Sequence, residues 1–282
     1  MSPSPFVSVI IPTYNRAAWL PGAVESVLAQ THRNFELIIV DDGSSDATAR
    51  FVASLDHPIV YLRQDNKGPA AARNLGIKNA RYDLLAFLDV DDRFVNTKLA
   101  RQVAAMAQRP DALISHTQEI WYRDGQQLNQ KKNHRKNSGN IFAQSLKLCT
   151  VGMSTMMARR ALFDGIGLLD EDLPCCEDYD FWLRASVSHD FLLIDEPLTI
   201  KNGGRPDQVS SQYRVGMDRF RIRAIAKLLE QHELSDEKYR LACEELVRKA
   251  TVYGKGCIKH GKEDEGKSYL ALADNVGRPP LG

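Results

Sequence analysis

Residues 6–45 read FVSVIIPTYNRAAWLPGAVESVLAQTHRNFELIIVDDGSS, and the periodicity inside this stretch decides the fold class. Phe6 to Ile11 and Phe35 to Val40 are short apolar runs that end in polar residues, as strands buried on both faces do. Between them, Ala17 to Gln30 sets Trp19, Leu20, Val24, Val27 and Leu28 along one helical face. The unit then repeats. Apolar runs recur at Ile59 to Leu62 and Leu84 to Leu88, and helical segments at Ser45 to Ser54 and Pro69 to Ala80. Alternating strand and helix predicts right-handed crossovers and an α/β fold, a mainly parallel sheet with helices on both faces. Ligands of such sheets bind beyond the carboxyl ends of the strands. Three polar segments occupy those ends: Pro12-Thr13-Tyr14-Asn15-Arg16, Asp41-Asp42-Gly43-Ser44-Ser45 and Asp89-Val90-Asp91-Asp92.

Further along, a helix is expected over Asn96 to Gln108 and a strand over Ala112 to Tyr122, closed by a turn at Asp124-Gly125. Gln126 to Asn140, rich in Lys, Asn and Gln, reads as a mobile loop. Its basic run Lys131 to Lys136 is either solvated or an acceptor-side patch for a lipid-linked diphosphate or an anionic membrane surface. A helix follows near Ile141 to Cys149, a strand near Ser154 to Ala158, a helix from Glu177 to about Val187, and two short strands, Phe191 to Ile194 and Leu198 to Lys201. From Ser210 the pattern is helical: Tyr213 to His232, Asp236 to His260 and Glu263 to Asp274. Residues 1–209 thus read as the α/β domain, with 1–110 and 111–209 as its two halves and 210–282 as a helical extension.

Composition bounds the partners. With 282 residues, 43% of them hydrophobic, the chain can bury a full-sized core. Its 37 basic and 36 acidic residues leave a formal charge of +1, which gives no global attraction to nucleic acid. The five cysteines are odd in number and lack paired C-x-x-C spacing, which speaks against a zinc cage or a disulfide framework. The sequence shows no signal-peptide pattern and no apolar run of about 18 residues, so a cytoplasmic location is expected, with peripheral contact at the inner membrane face as its variant. The C-terminal helices are the expected surface for self-association.

The acidic cluster carries the first chemical argument. Three aspartates within four positions at a strand mouth repel one another unless a cation offsets them. Magnesium or manganese takes one or two carboxylates together with substrate phosphates, and Asp89-x-Asp91 offers two from alternate residues; a helix cap with solvated turn carboxylates is the competing reading. Asp42 has the same two readings, an Asp-Gly turn or a carboxylate that accepts a ring N–H from uracil, thymine or guanine. Cytosine has no such N–H, so cytidine donors are disfavoured. Thr13 and Asn15 can hold the base or ribose, or simply form the turn. Gly68-Pro69-Ala70-Ala71-Ala72-Arg73-Asn74 opens a helix with small residues and one guanidinium, suited to phosphate contact or to packing on the sheet with a surface arginine.

Together, VSVIIPTYNRAAWLPGAVESVLAQTHRNFELIIVDDGSSDAT and NKGPAAARNLGIKNARYDLLAFLDVDD resemble the inverting glycosyltransferase family 2, in its small bacterial form and with its GT-A fold, over about the first 110 residues. The resemblance implies a nucleotide-diphosphate sugar as donor, a UDP-sugar first, held in part by Pro12. It implies Asp42 as the base-recognition aspartate, Asp89 and Asp91 as the DxD pair, Asp92 as a neighbouring acid toward the donor sugar, and Asp91 as the carrier of Mn2+ or Mg2+. Cys175-Cys176-Glu177-Asp178-Tyr179-Asp180 is similar to the family's acidic segment opening a helix, and Asp178 matches the position assigned as general base. Asn202-Gly203-Gly204-Arg205-Pro206-Asp207-Gln208-Val209-Ser210 resembles the H/R-x-x-D-Q-x-S segment of many small members, which gives Arg205 the departing diphosphate, with Asp207 or Gln208 adding a contact.

The reaction so implied is inverting transfer of one sugar to a glycan, lipid-linked or small-molecule acceptor, as in polysaccharide biosynthesis; the Q-x-x-R-W signature of processive synthases is missing. Two other readings stand beside it. A nucleotidyltransferase also sets a metal beside an α/β sheet, but usually announces a Gly-rich N-terminal loop with a basic residue. A non-catalytic nucleotide- or glycan-binding protein of the same fold is the third.

Overall fold

A computed structural model describes residues 5–129, 134–205 and 207–276. In chain order the elements begin β1 (Val7–Thr13), α1 (Leu20–Leu28), β2 (Phe35–Asp41), α2 (Thr48–Ala53), β3 (Ile59–Arg63), α3 (Pro69–Asn79) and β4 (Leu84–Phe87). The middle of the chain gives β5 (Arg93–Phe94), α4 (Lys98–Gln108), β6 (Ile114–Arg123), β7 (Gln126–Leu128), α5 (Phe142–Lys147), β8 (Met156–Arg159), α6 (Arg160–Ile166) and α7 (Glu177–Ser188). Last come β9 (Phe191–Gly203), α8 (Val209–Gln212), α9 (Asp218–Gln231), α10 (Asp236–Lys259) and α11 (Glu263–Val276).

The strands form one mixed sheet in the order β3-β2-β1-β4-β8-β6-β9-β5, with β7 hairpinned on β6. Strands β3, β2, β1 and β4 are parallel. Beyond them β8 runs antiparallel to both β4 and β6, while β6 and β9 are parallel. The fold is therefore the mixed α/β sheet expected, with its parallel half first.

Alternation along β1 explains the layers. Val7, Val9 and Ile11 face α1 and α4 in one core, while Ile10 faces α3 in the other. In α1, Leu20, Ala23, Val24 and Val27 are all buried, and Pro21 sits in the first turn where a missing N–H costs nothing. In α3 the small residues let backbone approach the sheet: a Cβ on Gly76 would lie 2.5 Å from Ile10 Cγ2. The third core joins α5 and α7 to α9, α10 and α11, and α10 crosses α11 so closely that a Cβ on Gly254 would lie 2.8 Å from the Gly266 carbonyl.

Several expectations need correcting. Ser45 to Ser54 is helical only from Thr48, because Asp46 Oδ1 accepts from both the main-chain N–H and the hydroxyl of Thr48 and holds a turn ahead of the helix. The strands expected at Phe191 to Ile194 and Leu198 to Lys201 are one strand, β9, whose pairing with β6 shifts register around Gln118, opposite Pro197. Tyr213 to His232 becomes α9 only from Asp218. The Gln126 to Asn140 loop is not solvated throughout. Gln126–Leu128 pairs with β6, and Lys136 is buried, its Nζ donating to Glu119 Oε2 at 3.0 Å and Thr155 Oγ1 at 3.1 Å. Lys131, Lys132 and Asn133 of the basic run lie outside the described residues. All five cysteines are free thiols, and no helix among the described residues is long and apolar enough to cross a membrane.

Candidate active site

A cleft of about 1250 Å³ opens at the carboxyl ends of β1, β2 and β4 and continues to the first turn of α7 and the segment after β9. Pro12, Thr13, Asp42, Arg73, Asp89, Asp91, Asp92, Asp178 and Arg205 all line it. The structure therefore brings together candidate residues spread over most of the chain. Asn15 is not among the lining residues. Its main chain is left-handed (φ 50°), its Oδ1 accepts from Ser45 N–H at 2.8 Å, and its N–H donates to Ser44 Oγ at 2.9 Å. It ties the loops after β1 and β2 together.

Of the adjacent aspartates, Asp41 turns into the sheet edge, accepting from Ser44 N–H and the Tyr61 hydroxyl. Asp42 faces the cleft. It accepts from Gln64 Nε2 at 2.6 Å and from the main-chain N–H groups of Lys67 and Gly68 at 2.9 and 2.8 Å, so it shapes the loop that leads into α3. Thr13 Oγ1 is buried at the same end with no hydrogen-bond partner among the described residues, a polar atom that a ligand can satisfy.

Arg73 is not a surface arginine. It is only 6% exposed and bridges Asp89 Oδ1 at 2.7 Å and Glu177 Oε1 at 2.5 Å, joining the donor-side cluster to α7. Burial alone would raise the Asp89 carboxyl; Arg73, with Lys201 behind it, overrides that and holds it below the ordinary aspartate range. Burial pushes Asp92 well above that range, helped by the neighbouring Asp91 and Asp89 and opposed by Lys201. Ser154 organises the pair: its hydroxyl donates to Asp92 Oδ2 at 2.6 Å and accepts from Asp89 N–H at 3.0 Å.

Asp91 Oδ2 accepts from Arg205 at 2.6 Å and from Gln208 Nε2 at 2.9 Å. Arg205 also lies over the Trp19 ring, 4.0 Å from its centroid, and pairs with Asp207, which in turn pairs with Arg16 at 3.2 Å. The segment after β9 is thus strapped across the acidic cluster onto the start of α1. Gly204 allows this course: its φ is +91° and a Cβ there would lie 2.7 Å from the Arg123 side chain. Pro206 lies outside the described residues.

Asp178 opens α7 after Cys176, a left-handed N-cap with φ 66°. Its Oδ1 accepts from Tyr179 N–H at 2.7 Å and its Oδ2 from the Cys149 thiol at 3.3 Å. Burial and this carboxylate push the Cys149 thiol well up, so it stays protonated and donates. Asp180 faces away, paired with Arg184 inside the core. Three participants went unpredicted by the sequence: Glu177 as partner of Arg73, Ser154, and Lys201. Half-buried on β9 near Glu119, Asp92, Asp89 and Asp91, Lys201 is pushed up by them against the opposing effect of its desolvation. Its only signal was a lysine ending an apolar strand.

A sequence model described as Glycosyl transferase family 2 matches residues 8–167. The chain belongs to glycosyltransferase family 2. It is 38% identical over 222 residues to an uncharacterized glycosyltransferase of Rickettsia felis, a match covering 75% of this chain and 36% of that protein. It is 35% identical over 161 residues to the putative teichuronic acid biosynthesis glycosyltransferase TuaG of Bacillus subtilis, covering 55% of this chain and 63% of TuaG. It spans about a third of the length of the first of these relatives. Among solved structures, S. aureus TarS 1–349 in complex with UDP-GlcNAc superposes with a TM-score of 0.74 at 21% identity, covering 95% of this chain and 79% of that one. A mannosyltransferase from Pyrobaculum calidifontis, in complex with GDP-Man and Mn2+, gives 0.66 at 16% identity, covering 99% and 78%. Those two likenesses establish the GT-A fold.

Proposed function

We propose that the transferase moves one sugar, with inversion, from a nucleoside-diphosphate donor to a hydroxyl of a glycan, lipid-linked or small-molecule acceptor. The observation that carries this reading is the single cleft lined by Asp42, Asp91 and Asp178 together. In it, residues 1–110 form the donor half, 111–209 the acceptor half, and 210–282 a C-terminal region whose described helices, up to Val276, pack on α5 and α7.

In this reading Asp42 and Thr13 address the base and ribose, with a UDP-sugar as first choice of donor. Arg205 turns from Asp91 toward the diphosphate that accumulates charge as the glycosidic bond breaks. Asp178 takes the proton from the acceptor hydroxyl as its oxygen attacks the anomeric carbon. The thiol and main-chain N–H on Asp178 hold its carboxylate in one orientation, and neither donor carries a positive charge. Arg73 positions the donor-side acid Asp89 relative to α7.

The residues fit a magnesium or manganese ion. No three His, Cys, Asp or Glu side chains form a cage among the described residues, but an ion that shares substrate phosphates needs only one or two carboxylates. Asp91 meets that need: it lines the cleft, and only its Oδ2 is engaged by side chains among the described residues. When bound, such an ion would stabilise negative charge on the leaving diphosphate.

The test is a panel of nucleoside diphosphates in thermal-shift experiments with and without manganese, followed by product analysis with the matching sugar donors. A metal-dependent stabilisation by one diphosphate, release of that diphosphate on turnover, and inverted anomeric configuration by NMR are expected. If no nucleotide stabilises the protein with metal, the donor site is wrong; release of pyrophosphate would instead mean nucleotidyl transfer.

A further inference from the structure

The acceptor side of the cleft contains an arginine that the reaction described above does not use. Arg221 stands on α9, in the helical region, and lines the same cleft as Asp178. Its guanidinium carbon lies 5.9 Å from the ring centroid of Tyr179, the residue after Asp178. Cys149, which donates to Asp178, and Cys176, which caps α7, lie within electrostatic reach of both groups.

The guanidinium is poorly satisfied. NH1 donates to Asp218 Oδ1 at 3.0 Å, one turn back on its own helix. Nε is buried with no hydrogen-bond partner among the described residues. Arginine stays protonated, and a buried N–H without an acceptor is destabilising unless something else supplies one. Arg123 and Arg214 line the same cleft, and neither has an ion-pair partner among the described residues. Five carboxylates on the cleft wall are already paired with other cations: Asp91 with Arg205, Asp89 and Glu177 with Arg73, Asp207 with Arg16, and Asp172 with Arg223.

We propose that Arg221 reads an oxyanion on the acceptor, beside the hydroxyl presented to Asp178, so that the acceptor is a hydroxyl compound carrying a phosphate or a carboxylate. This rests on the assignment of Asp178 to the acceptor side. The planar guanidinium offers Nε–H and NH2 as a pair, the geometry that grips either oxyanion with two parallel hydrogen bonds. It also gives the helical region a direct part in specificity.

The experiment uses the full chain, first without nucleotide and then saturated with the nucleoside diphosphate that binds best. Inorganic phosphate, glucuronic acid and glucose are titrated while the arginine Nε–H resonances are followed by NMR, Arg221 being assigned from the signal lost in Arg221→Lys. Saturable movement of that resonance with phosphate or glucuronic acid, but not with glucose, is expected, and whichever anion binds more tightly names the source of the charge. Arg221→Gln is expected to weaken that binding at least 10-fold, and Arg221→Lys, which keeps the charge but loses the paired donors, to weaken it measurably but less than the glutamine variant does. Should the glutamine variant fail to fold, the resonance in the unaltered protein still decides. An unmoved Arg221 signal, equal binding of glucose, or phosphate displaced by the nucleoside diphosphate overturns the proposal; the last would give Arg221 to the donor. Because the first titration contains no nucleotide, a failure here is distinct from failure of the donor site.

Discussion

Arg205 donates to Asp91 Oδ2 at 2.6 Å from 114 residues further along the chain. The carboxylate assigned to the cation is therefore held by a protein cation on a strap that also stacks on Trp19. Arg205→Ala should free Asp91 and lose the contact to the diphosphate. Manganese binding without nucleotide should tighten by calorimetry, while turnover falls about 100-fold. Unchanged turnover would remove Arg205 from the diphosphate.

Asp178→Asn keeps the size of the side chain and its acceptor oxygen for Tyr179 N–H. It removes the base. We expect kcat to fall about 10² to 10⁴-fold, with nucleoside-diphosphate affinity unchanged by calorimetry. Near-normal transfer by this variant would rule out Asp178 as the proton acceptor.

Arg73→Met replaces a buried cation by an apolar chain and leaves Asp89 and Glu177 facing each other across the gap. Removing one partner of a buried ion pair costs about 3–5 kcal/mol, which urea denaturation should detect. Combining Arg73→Met with Asp89→Asn and Glu177→Gln should recover part of that loss, because no unpaired buried charge is left.

Gly43→Ala tests the turn that delivers Asp42. The residue has φ +85°, and a Cβ would stand 2.9 Å from Asn66 N, in the loop that Asp42 holds. A cost of about 1–3 kcal/mol is expected, with weaker nucleotide binding than in the parent protein.

His116 gives a pH signature. Burial, with Lys136 nearby, lowers it to about 3, and its Nε2 lies 3.0 Å from the Asn137 carbonyl, so it folds as the neutral ring donating there. Between about 6.5 and 3 the unfolded chain binds the extra proton. Stability should therefore fall as pH drops through that window, by up to about 1.4 kcal/mol per unit. His116→Gln should flatten the melting-temperature profile below about pH 6.5.

Much of this architecture was legible in residues 6–45 and their repeats, because strand and helix periods are local. Val7, Val9 and Ile11 alternate with Ser8 and Ile10 whatever lies above them, and the structure divides them between two cores accordingly. Legibility failed where pairing overrode local preference. Residues 195–197 separate two apolar runs that read as distinct strands, yet β9 continues through them because its pairing with β6 accommodates the irregularity by a register shift opposite Pro197. The two residues of β5 carry no period at all and exist as a strand only because β9 is beside them. Lys136 sits in a polar run that reads as solvated, yet Glu119 holds it inside.

The order of polar segments after the apolar runs was enough to point to an α/β sheet with its site at one edge, since strand ends of a parallel sheet converge there, and the family resemblance singled out the candidate acids Asp42, Asp89, Asp91, Asp92 and Asp178. Which acid faces the cleft, and what already holds it, was decided only in three dimensions. Arg73 meets Glu177 across 104 residues, and Lys201 meets the acidic cluster from a strand at the other side of the sheet. Partners of this kind depend on how the packed layers bring side chains within a few ångströms, and burial then sets the strength and sign of each charge. Neither quantity is carried by local sequence.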